Sequence, residues 1–290
     1  MGSILAVELL KVRKRWMPYI LLVVMVAGVA LQIWLAGYVS WRQNEAEFRE
    51  SALRTFAFPW SIPALLDTGQ FWGSILVGIL TSSVVATEYA WGTVRQALIR
   101  GQPRSQYLVV KLLGITVIAA VTLLLALGVG LGFSAIATTL ADRAITLDVP
   151  DGPSAGEIVP MILRAGYGIL PYGLLAFTLA VVGRSTTLGV AGIIVFMFVE
   201  AIVMAILSGI GGTAADARSF FIGHNVNAIL AVNRIGIGDY NAFSPRERPL
   251  AADLPDPNVA ALIVALYCIG FLLISFWVFQ RRDVHSESTS

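Results

Sequence analysis

The stretch ATEYAWGTVRQALIRGQPRSQYLVVK, residues 86–111, separates two long apolar segments and differs from both in composition. Between Glu88 and Arg104 it contains one acid, two aromatic residues, two glycines and three arginines. The flanking segments are long enough to cross a lipid bilayer, so the polar interruption marks a place where the chain leaves the membrane and turns back into it. The stretch therefore predicts two consecutive membrane helices joined by a short polar loop.

The rest of the chain follows the same pattern. Hydrophobic residues make up 57% of the 290 and charged residues 13%, whereas a soluble domain has about 25% charged residues. Six apolar runs are long enough to span a bilayer, and we expect one all-α, polytopic domain over residues 1–290. The runs are 17–39, 66–87, 108–140, 160–182, 186–209 and 259–280.

The third run is 33 residues long, which is about 50 Å as a helix and more than the thickness of the bilayer core. We expect it either to extend beyond one face of the membrane or to break at Gly128, Gly130 and Gly132. The pairs Gly69/Gly73 and Gly128/Gly132 have the four-residue spacing that permits close helix packing.

Basic residues predict the orientation. With six spans, both termini lie on one side, and that side collects eleven of the 20 cations but only four of the 18 acids. Short loops rich in Lys and Arg face the cytoplasm. We therefore expect both termini and residues 88–106 to be cytoplasmic in a cell-membrane protein, with 40–65 and 210–258 outside. The eleven cations are Lys11, Arg13, Lys14, Arg15, Arg95, Arg100, Arg104, Lys111, Arg184, Arg281 and Arg282.

Within the opening stretch, Gly92 and Thr93 can turn the backbone and cap a short helix that ends at Gly101. Pro103 prevents the helix from continuing. The apolar side of this helix, Val94 with Ala97 and Leu98, is free to pack on another surface. An ordinary interfacial loop with snorkelling arginines fits the same spacing.

The pattern Glu88-Tyr89-x-x-Gly92-Thr93-x-Arg95, followed by Pro103-Arg104 and Lys111, resembles the first cytoplasmic loop of type-2 ATP-binding-cassette (ABC) exporter permeases. The N-terminal VELLKVRKR, residues 7–15, is similar to the amphipathic elbow helix of that family. The resemblance implies six spans, an elbow helix and short extracellular helices before the last span.

The resemblance also implies partners. In that family the loop forms a coupling helix that docks on a separate ATPase subunit, and a transporter has two permeases and two ATPase domains. We therefore expect an ABC ATPase, a second permease copy or paralogue, and membrane lipid as partners, with no nucleic acid. The residues assigned to coupling are Glu88, Tyr89, Gly92, Thr93, Arg95, Arg100 and Arg104. In this interpretation Arg95 and Arg100 pair with acids of the partner.

Catalytic motifs are missing from the sequence. It has no phosphate-binding loop of the G-x-x-x-x-G-K-[ST] type, no H-E-x-x-H and no G-x-S-x-G. His224 and His285 are its two histidines, and they lie in separate regions, so no metal site is predicted. We expect no cofactor on this chain, and ATP with Mg²⁺ on the partner subunit.

Glu200 lies near the middle of the fifth run. A mid-membrane carboxylate costs several kcal/mol unless it is protonated, paired or exposed to water. One interpretation places Glu200 on the translocation path or at the dimer seam, and the other has it hydrogen-bonded to a neighbouring helix. Two further polar groups have simpler interpretations: Arg164 snorkels to the outer interface, and Asp67 caps a helix.

We interpret the chain as a permease subunit for ATP-driven export, coupled to its ATPase through residues 88–106. Two alternatives remain open: a standalone secondary transporter or channel, and a membrane assembly protein without transport activity. Lipids, peptide antibiotics, drugs and ions are all compatible as substrates.

Overall fold

The computed structural model describes residues 10, 14–43, 46–99, 101, 103–147, 149, 152–210, 216–233 and 254–281. These residues are mostly helical, and none of them forms a β-strand. The elbow-helix prediction for residues 7–15 lies largely outside the described part of the chain, as does much of the predicted outer segment 210–258.

Six helices are long and apolar enough to cross a membrane. Each contains one of the six predicted runs, so the all-α, six-span prediction is confirmed. We number these helices together with three shorter ones in chain order. The spans are α1 (Met17–Gln43), α3 (Ser61–Ala90), α5 (Arg104–Leu140), α6 (Ala155–Gly183), α7 (Thr186–Ile210) and α9 (Pro257–Arg281). The shorter helices are α2 (Ala46–Phe56), α4 (Thr93–Ile99) and α8 (Ile222–Ala231).

The centre of the bundle is formed by α3 and α6. In the most apolar segment of each, 67% of the residues are buried, compared with 11% in α7. Glycine permits this packing: a Cβ at Gly73 would lie 2.8 Å from Ile169 Cδ1 of α6, and one at Gly69 would lie 3.2 Å from Leu123 Cδ1 of α5. The predicted close approach at Gly69/Gly73 is therefore confirmed within one chain.

The long third run forms one unbroken helix of 37 residues, about 55 Å at 1.5 Å per residue. It extends beyond a bilayer core, and the predicted break at Gly128, Gly130 and Gly132 does not occur. Gly128 and Gly132 also have no atom within 4 Å of an added Cβ. The second glycine pair therefore packs on nothing in the described part of the chain.

The end of α1 is irregular. Residues Gln32–Val39 form a wide, π-helical turn, and α2 folds back onto it. A Cβ at Gly37 would lie 2.6 Å from Phe56 Cβ, so glycine permits this contact. The ring of Phe56 also packs edge-on against Tyr38 at 5.7 Å and against Trp41 at 6.0 Å.

Asp67 is the seventh residue of α3, which begins at Ser61. The prediction that it caps a helix is wrong, because the helix begins a turn and a half earlier.

We call the end of the bundle formed by Ala90, Arg104, Gly183, Thr186 and Arg281 the loop end. The other end, with Leu140, Ala155, Ile210 and Pro257, is the opposite end. The α8 helix begins after a 3₁₀ turn, Ala217–Phe220, and seven of its ten residues are buried. This helix is therefore largely enclosed by the spans.

Candidate functional site

The loop between α3 and α5 contains one rigid short helix between two glycines. Gly92 has φ +66° and Gly101 has φ +84°, a conformation that costs other L-residues about 1–2 kcal/mol. Thr93 begins α4, and its hydroxyl donates to the Glu88 carbonyl oxygen at 3.2 Å. The predicted short helix between Gly92 and Gly101 is confirmed. Arg100, one of the predicted coupling residues, lies outside the described residues.

Glu88 is buried at the base of this loop. Its side chain is only 6% exposed, and its Oε1 accepts a hydrogen bond from Lys111 Nζ at 2.5 Å. The hydroxyl of Tyr107 donates to the other carboxylate oxygen, Oε2. A buried carboxylate is tolerated when both oxygens are paired in this way. Glu88 therefore joins the end of α3 to the start of α5.

A second cation meets the same end of α3. The guanidinium of Arg15 donates to the Thr87 hydroxyl at 3.3 Å and to the Ser83 carbonyl oxygen at 3.4 Å. The last turn of a helix carries partial negative charge on its carbonyl groups. Arg15 complements this charge, whereas Lys111 neutralises the Glu88 carboxylate.

The start of α5 is also joined to the end of α9. Arg104 Nη1 donates to the Gln280 carbonyl oxygen at 2.6 Å, and the Tyr107 ring stacks on Phe279 with centroids 5.5 Å apart. The final carbonyl groups of a helix have no partner within the helix. Arg104 supplies one, so the predicted coupling residue Arg104 faces the bundle.

The two sides of α4 differ sharply in exposure. Val94 is 1% exposed, and Ala97 and Leu98 pack against the same core. The apolar side that was expected to be free is therefore covered by the chain itself. On the outward side of the loop, Ile99 at the end of α4 is 72% exposed, and Trp91, which caps the end of α3 just before α4, is 71% exposed. Arg95 and Gln96 are exposed between them.

Tyr89 is half-buried, and the guanidinium of Arg184 lies 5.8 Å from the centroid of its ring. Arg184 occupies the turn between α6 and α7. The contact brings the α6–α7 turn beside the end of α3.

Glu200 is buried within the protomer. Its Oε1 accepts the Gly223 backbone N–H at 2.7 Å, and the Tyr172 hydroxyl lies 3.5 Å from Oε2. These contacts correspond to the interpretation in which the acid is hydrogen-bonded to neighbouring helices. Its placement on a path or at a dimer seam stays a prediction.

Comparison with known proteins identifies the family. A sequence model of the family described as "ABC-2 family transporter protein" matches residues 3–284, nearly the whole chain. The protein belongs to the ABC-2 transporter family. The resemblance drawn from the loop residues is therefore confirmed at the level of family.

One curated relative of this ABC-2 protein is an uncharacterised protein, YhcI, from Bacillus subtilis (strain 168). The two sequences are 28% identical over 231 residues, which is 75% of this chain and 67% of the relative. Its name assigns no substrate or partner. Membership of the ABC-2 family makes the chain a multi-pass membrane component of a transporter, and the family's membrane components are not themselves catalytic.

Sequence reasoning on this ABC-2 protein identified Glu88 but assigned it to the partner surface. The inward orientation had one signal in the sequence: Lys111 and Tyr107 follow Glu88 at 23 and 19 residues, on the first turns of the next span. Gly223 and Tyr172 were missed entirely, because nothing local to Glu200 in the sequence indicates either contact.

Proposed function

We propose that this ABC-2 protein is the permease subunit of an ATP-driven exporter and that a separate ATPase subunit docks on the outward side of α4. One observation carries the proposal: two large apolar residues, Trp91 and Ile99, are each more than two-thirds exposed on a loop beyond the end of its span. Lipid tails do not cover such a loop, and exposed apolar residues with a polar surround are typical of protein–protein contacts.

The chemistry of this side describes the partner. Trp91 and Ile99 are the apolar anchors, and Arg95 adds a fixed positive charge between them. A guanidinium pairs best with carboxylates in a planar, bidentate geometry. The complementary surface is an apolar groove with an acidic rim. Because this chain has no phosphate-binding loop, ATP and Mg²⁺ bind on the partner.

Coupling requires that movement of the loop reach the spans. Glu88 and Lys111 join α3 to α5, and Arg104 with Tyr107 joins α5 to α9. A displacement of α4 would therefore move the loop ends of three spans together. In this proposal Glu88 and Arg104 transmit motion, while Arg95 contacts the partner directly.

The proposal includes sidedness and stoichiometry. The loop end and both termini are cytoplasmic, as the distribution of Lys and Arg favours, and the chain lies in the cell membrane beside a second permease copy or paralogue. Export is the direction that the loop resemblance implies.

Substitutions on α4 test the proposal. The permease is affinity-purified from its native membranes in mild detergent, and the copurifying chain with a phosphate-binding loop is identified and quantified by mass spectrometry. We expect Trp91→Ala/Ile99→Ala and Arg95→Glu each to reduce the ATPase-to-permease ratio at least tenfold, because central interface residues commonly contribute about 2 kcal/mol or more.

The matched control is Trp277→Ala, which removes an exposed aromatic ring, 57% exposed, from α9 near the same end. It should keep the ratio of the unaltered protein. An unchanged ratio in both α4 variants would contradict docking at α4. Recovery of active transporter without any ATPase would support a secondary transporter instead.

A further inference from the structure

The start of α8 lies deep in the membrane, although α8 belongs to the connection between two spans. Gly223 meets Glu200, which is fourteen residues from Thr186 and ten from Ile210 along α7. At 1.5 Å per residue these are about 21 Å and 15 Å. Tyr172, at the same depth, is eleven residues before Gly183, or about 17 Å from the loop end of α6. The first turn of α8 is therefore near the middle of the bilayer.

A helix that starts at mid-membrane has a specific energetic problem. Its first backbone N–H groups have no intrahelical acceptor, and hydrocarbon supplies none. Glu200 Oε1 accepts from Gly223 at 2.7 Å, and the positive end of the helix dipole favours a carboxylate at that position. The contact offsets two costs at once, that of a buried acid and that of unpaired N–H groups.

Asn225 stabilises the turn before α8 by donating to two of its carbonyl oxygens. Its Nδ2 donates to the Ser219 carbonyl oxygen at 2.6 Å and to the Phe221 carbonyl oxygen at 2.7 Å. These bonds close the 3₁₀ turn onto the first turn of α8. They do not connect α8 to a span, so the position of residues 216–233 depends on other contacts.

Three spans hold residues 216–233 in place. From α9, the Tyr267 hydroxyl donates to the Phe220 carbonyl oxygen at 2.7 Å. From α6, Arg164 Nη1 donates to Asn233 Oδ1 at 3.1 Å, so Arg164 binds the residue that ends this segment. Glu200 is the contribution of α7, and it accepts a hydrogen bond from the first turn of α8.

We propose that Glu200 is a positioning residue whose carboxylate fixes the first turn of α8, and with it the hairpin of residues 216–233, between α6, α7 and α9. Its acceptor oxygens are committed to Gly223 and Tyr172 rather than to a substrate. The hairpin closes the opposite half of the bundle over these three spans. Its consequence for export, and only that consequence, rests on the proposed function.

Hydrogen exchange of the full-length protein in lipid nanodiscs, followed by mass spectrometry, tests the position. In Glu200→Leu the amides of 222–231 should exchange at least about tenfold faster, since a helix-capping acceptor is lost. In Glu200→Gln they should remain near the original rate, because the amide oxygen still accepts from Gly223. Glu200→Ala removes the acceptor with a smaller side chain, and it should match Glu200→Leu even if the latter assembles poorly.

Glu157 provides a matched control. It caps the start of α6 together with Ser154, so Glu157→Leu removes a capping acid elsewhere and should not alter exchange in 222–231. The proposal is overturned if Glu200→Leu and Glu200→Ala leave that exchange unchanged, or if residues 222–231 exchange as fast in Glu200→Gln as in Glu200→Leu. It is also overturned if all spans exchange faster to the same degree, since that would indicate a general loss of folding.

A second readout separates this inference from the proposed function. Glu200→Leu should reduce export several-fold while ATPase copurification stays normal, because Glu200 is about 20 Å from the loop end. Loss of copurification in this variant would argue against local positioning. Normal hairpin exchange with defective export would instead assign Glu200 to the path and contradict the positioning role.

Discussion

The two glycines of the loop are single residues on which the direction of α4 depends. Gly92 and Gly101 have positive φ angles, and an added Cβ at either would meet no atom within 4 Å. Any cost of substitution therefore comes from the backbone alone. We expect Gly92→Ala and Gly101→Ala to lower the free energy of unfolding by about 1–2 kcal/mol each.

Gly114 is the control for this prediction. It lies inside α5, where an added Cβ also meets nothing within 4 Å, so Gly114→Ala should stabilise the helix by about 0.5–1 kcal/mol. Thermal unfolding in detergent compares the three variants. Equal effects of the same sign at Gly92 and Gly114 would show that the left-handed turn at Gly92 is absent.

The buried pair of Glu88 and Lys111 should contribute to the free energy of unfolding. Glu88→Gln or Lys111→Met leaves the other charge buried, and breaking a buried pair costs about 3–5 kcal/mol. The double variant leaves no uncompensated charge and should recover most of that loss. Urea unfolding of all three forms in detergent measures the cycle. Additive losses in the double variant would contradict a direct pair. The control is Arg95→Ala, at an exposed position, which should change the free energy of unfolding by less than about 0.5 kcal/mol.

The positions of the turns in the loop were predictable, but the directions of its side chains were not. Gly92 and Thr93 could be placed at a turn because few residue types adopt positive φ or cap a helix. Glu88 was assigned to coupling because it belongs to the loop motif that resembles type-2 ABC exporter permeases. Its burial depends on Lys111, which is 23 residues away on another helix, and spacing alone does not place a side chain across two helices.

The link between α5 and α9 consists of one hydrogen bond and one ring contact. Arg104 accounts for the hydrogen bond to the last turn of α9, and Phe279 accounts for the ring contact. Arg104→Ala should make the amides of 277–281 exchange about three- to tenfold faster, because a charge-assisted hydrogen bond to that turn is lost. Exchange in α3 should change little.

Tyr107→Phe separates the two roles of Tyr107. It keeps the stacking on Phe279 but removes the hydroxyl that donates to Glu88. We expect it to weaken the α3–α5 junction and spare the end of α9. Unaltered exchange at 277–281 in Arg104→Ala would contradict a mechanical connection between the loop and α9.

The spans were predictable because a run of some twenty apolar residues has few alternatives to a membrane helix. Their ends were less so: α3 begins at Ser61 and ends at Ala90, beyond the apolar run 66–87, because helix continues through polar residues once neighbouring helices supply contacts. The burial of α8 was not predictable. Its ten residues include His224 and Asn225. From sequence alone, a short and partly polar helix is expected at the surface of a protein.

The charges at the loop end predict the orientation of the whole molecule. Gln96 is exposed at that end, while Arg143 and Asn258 are exposed at the opposite end. In a Cys268→Ser background, we expect single cysteines at Arg143 and Asn258 to react with an impermeant thiol reagent in intact cells. A cysteine at Gln96 should react only after the membrane is permeabilised. Labelling of Gln96→Cys in intact cells would reverse the assigned topology.

We propose that α4 is the site at which an ATPase subunit contacts this ABC-2 protein. The most direct measurement is photo-crosslinking in native membranes from a photoreactive amino acid placed at Ile99, with the same group at Trp277 as the control. Position 99 should yield a covalent product with a chain that contains a phosphate-binding loop, and position 277 should yield little or none. The absence of that product at position 99 in membranes with active transport, or an equal yield from position 277, would contradict the claim.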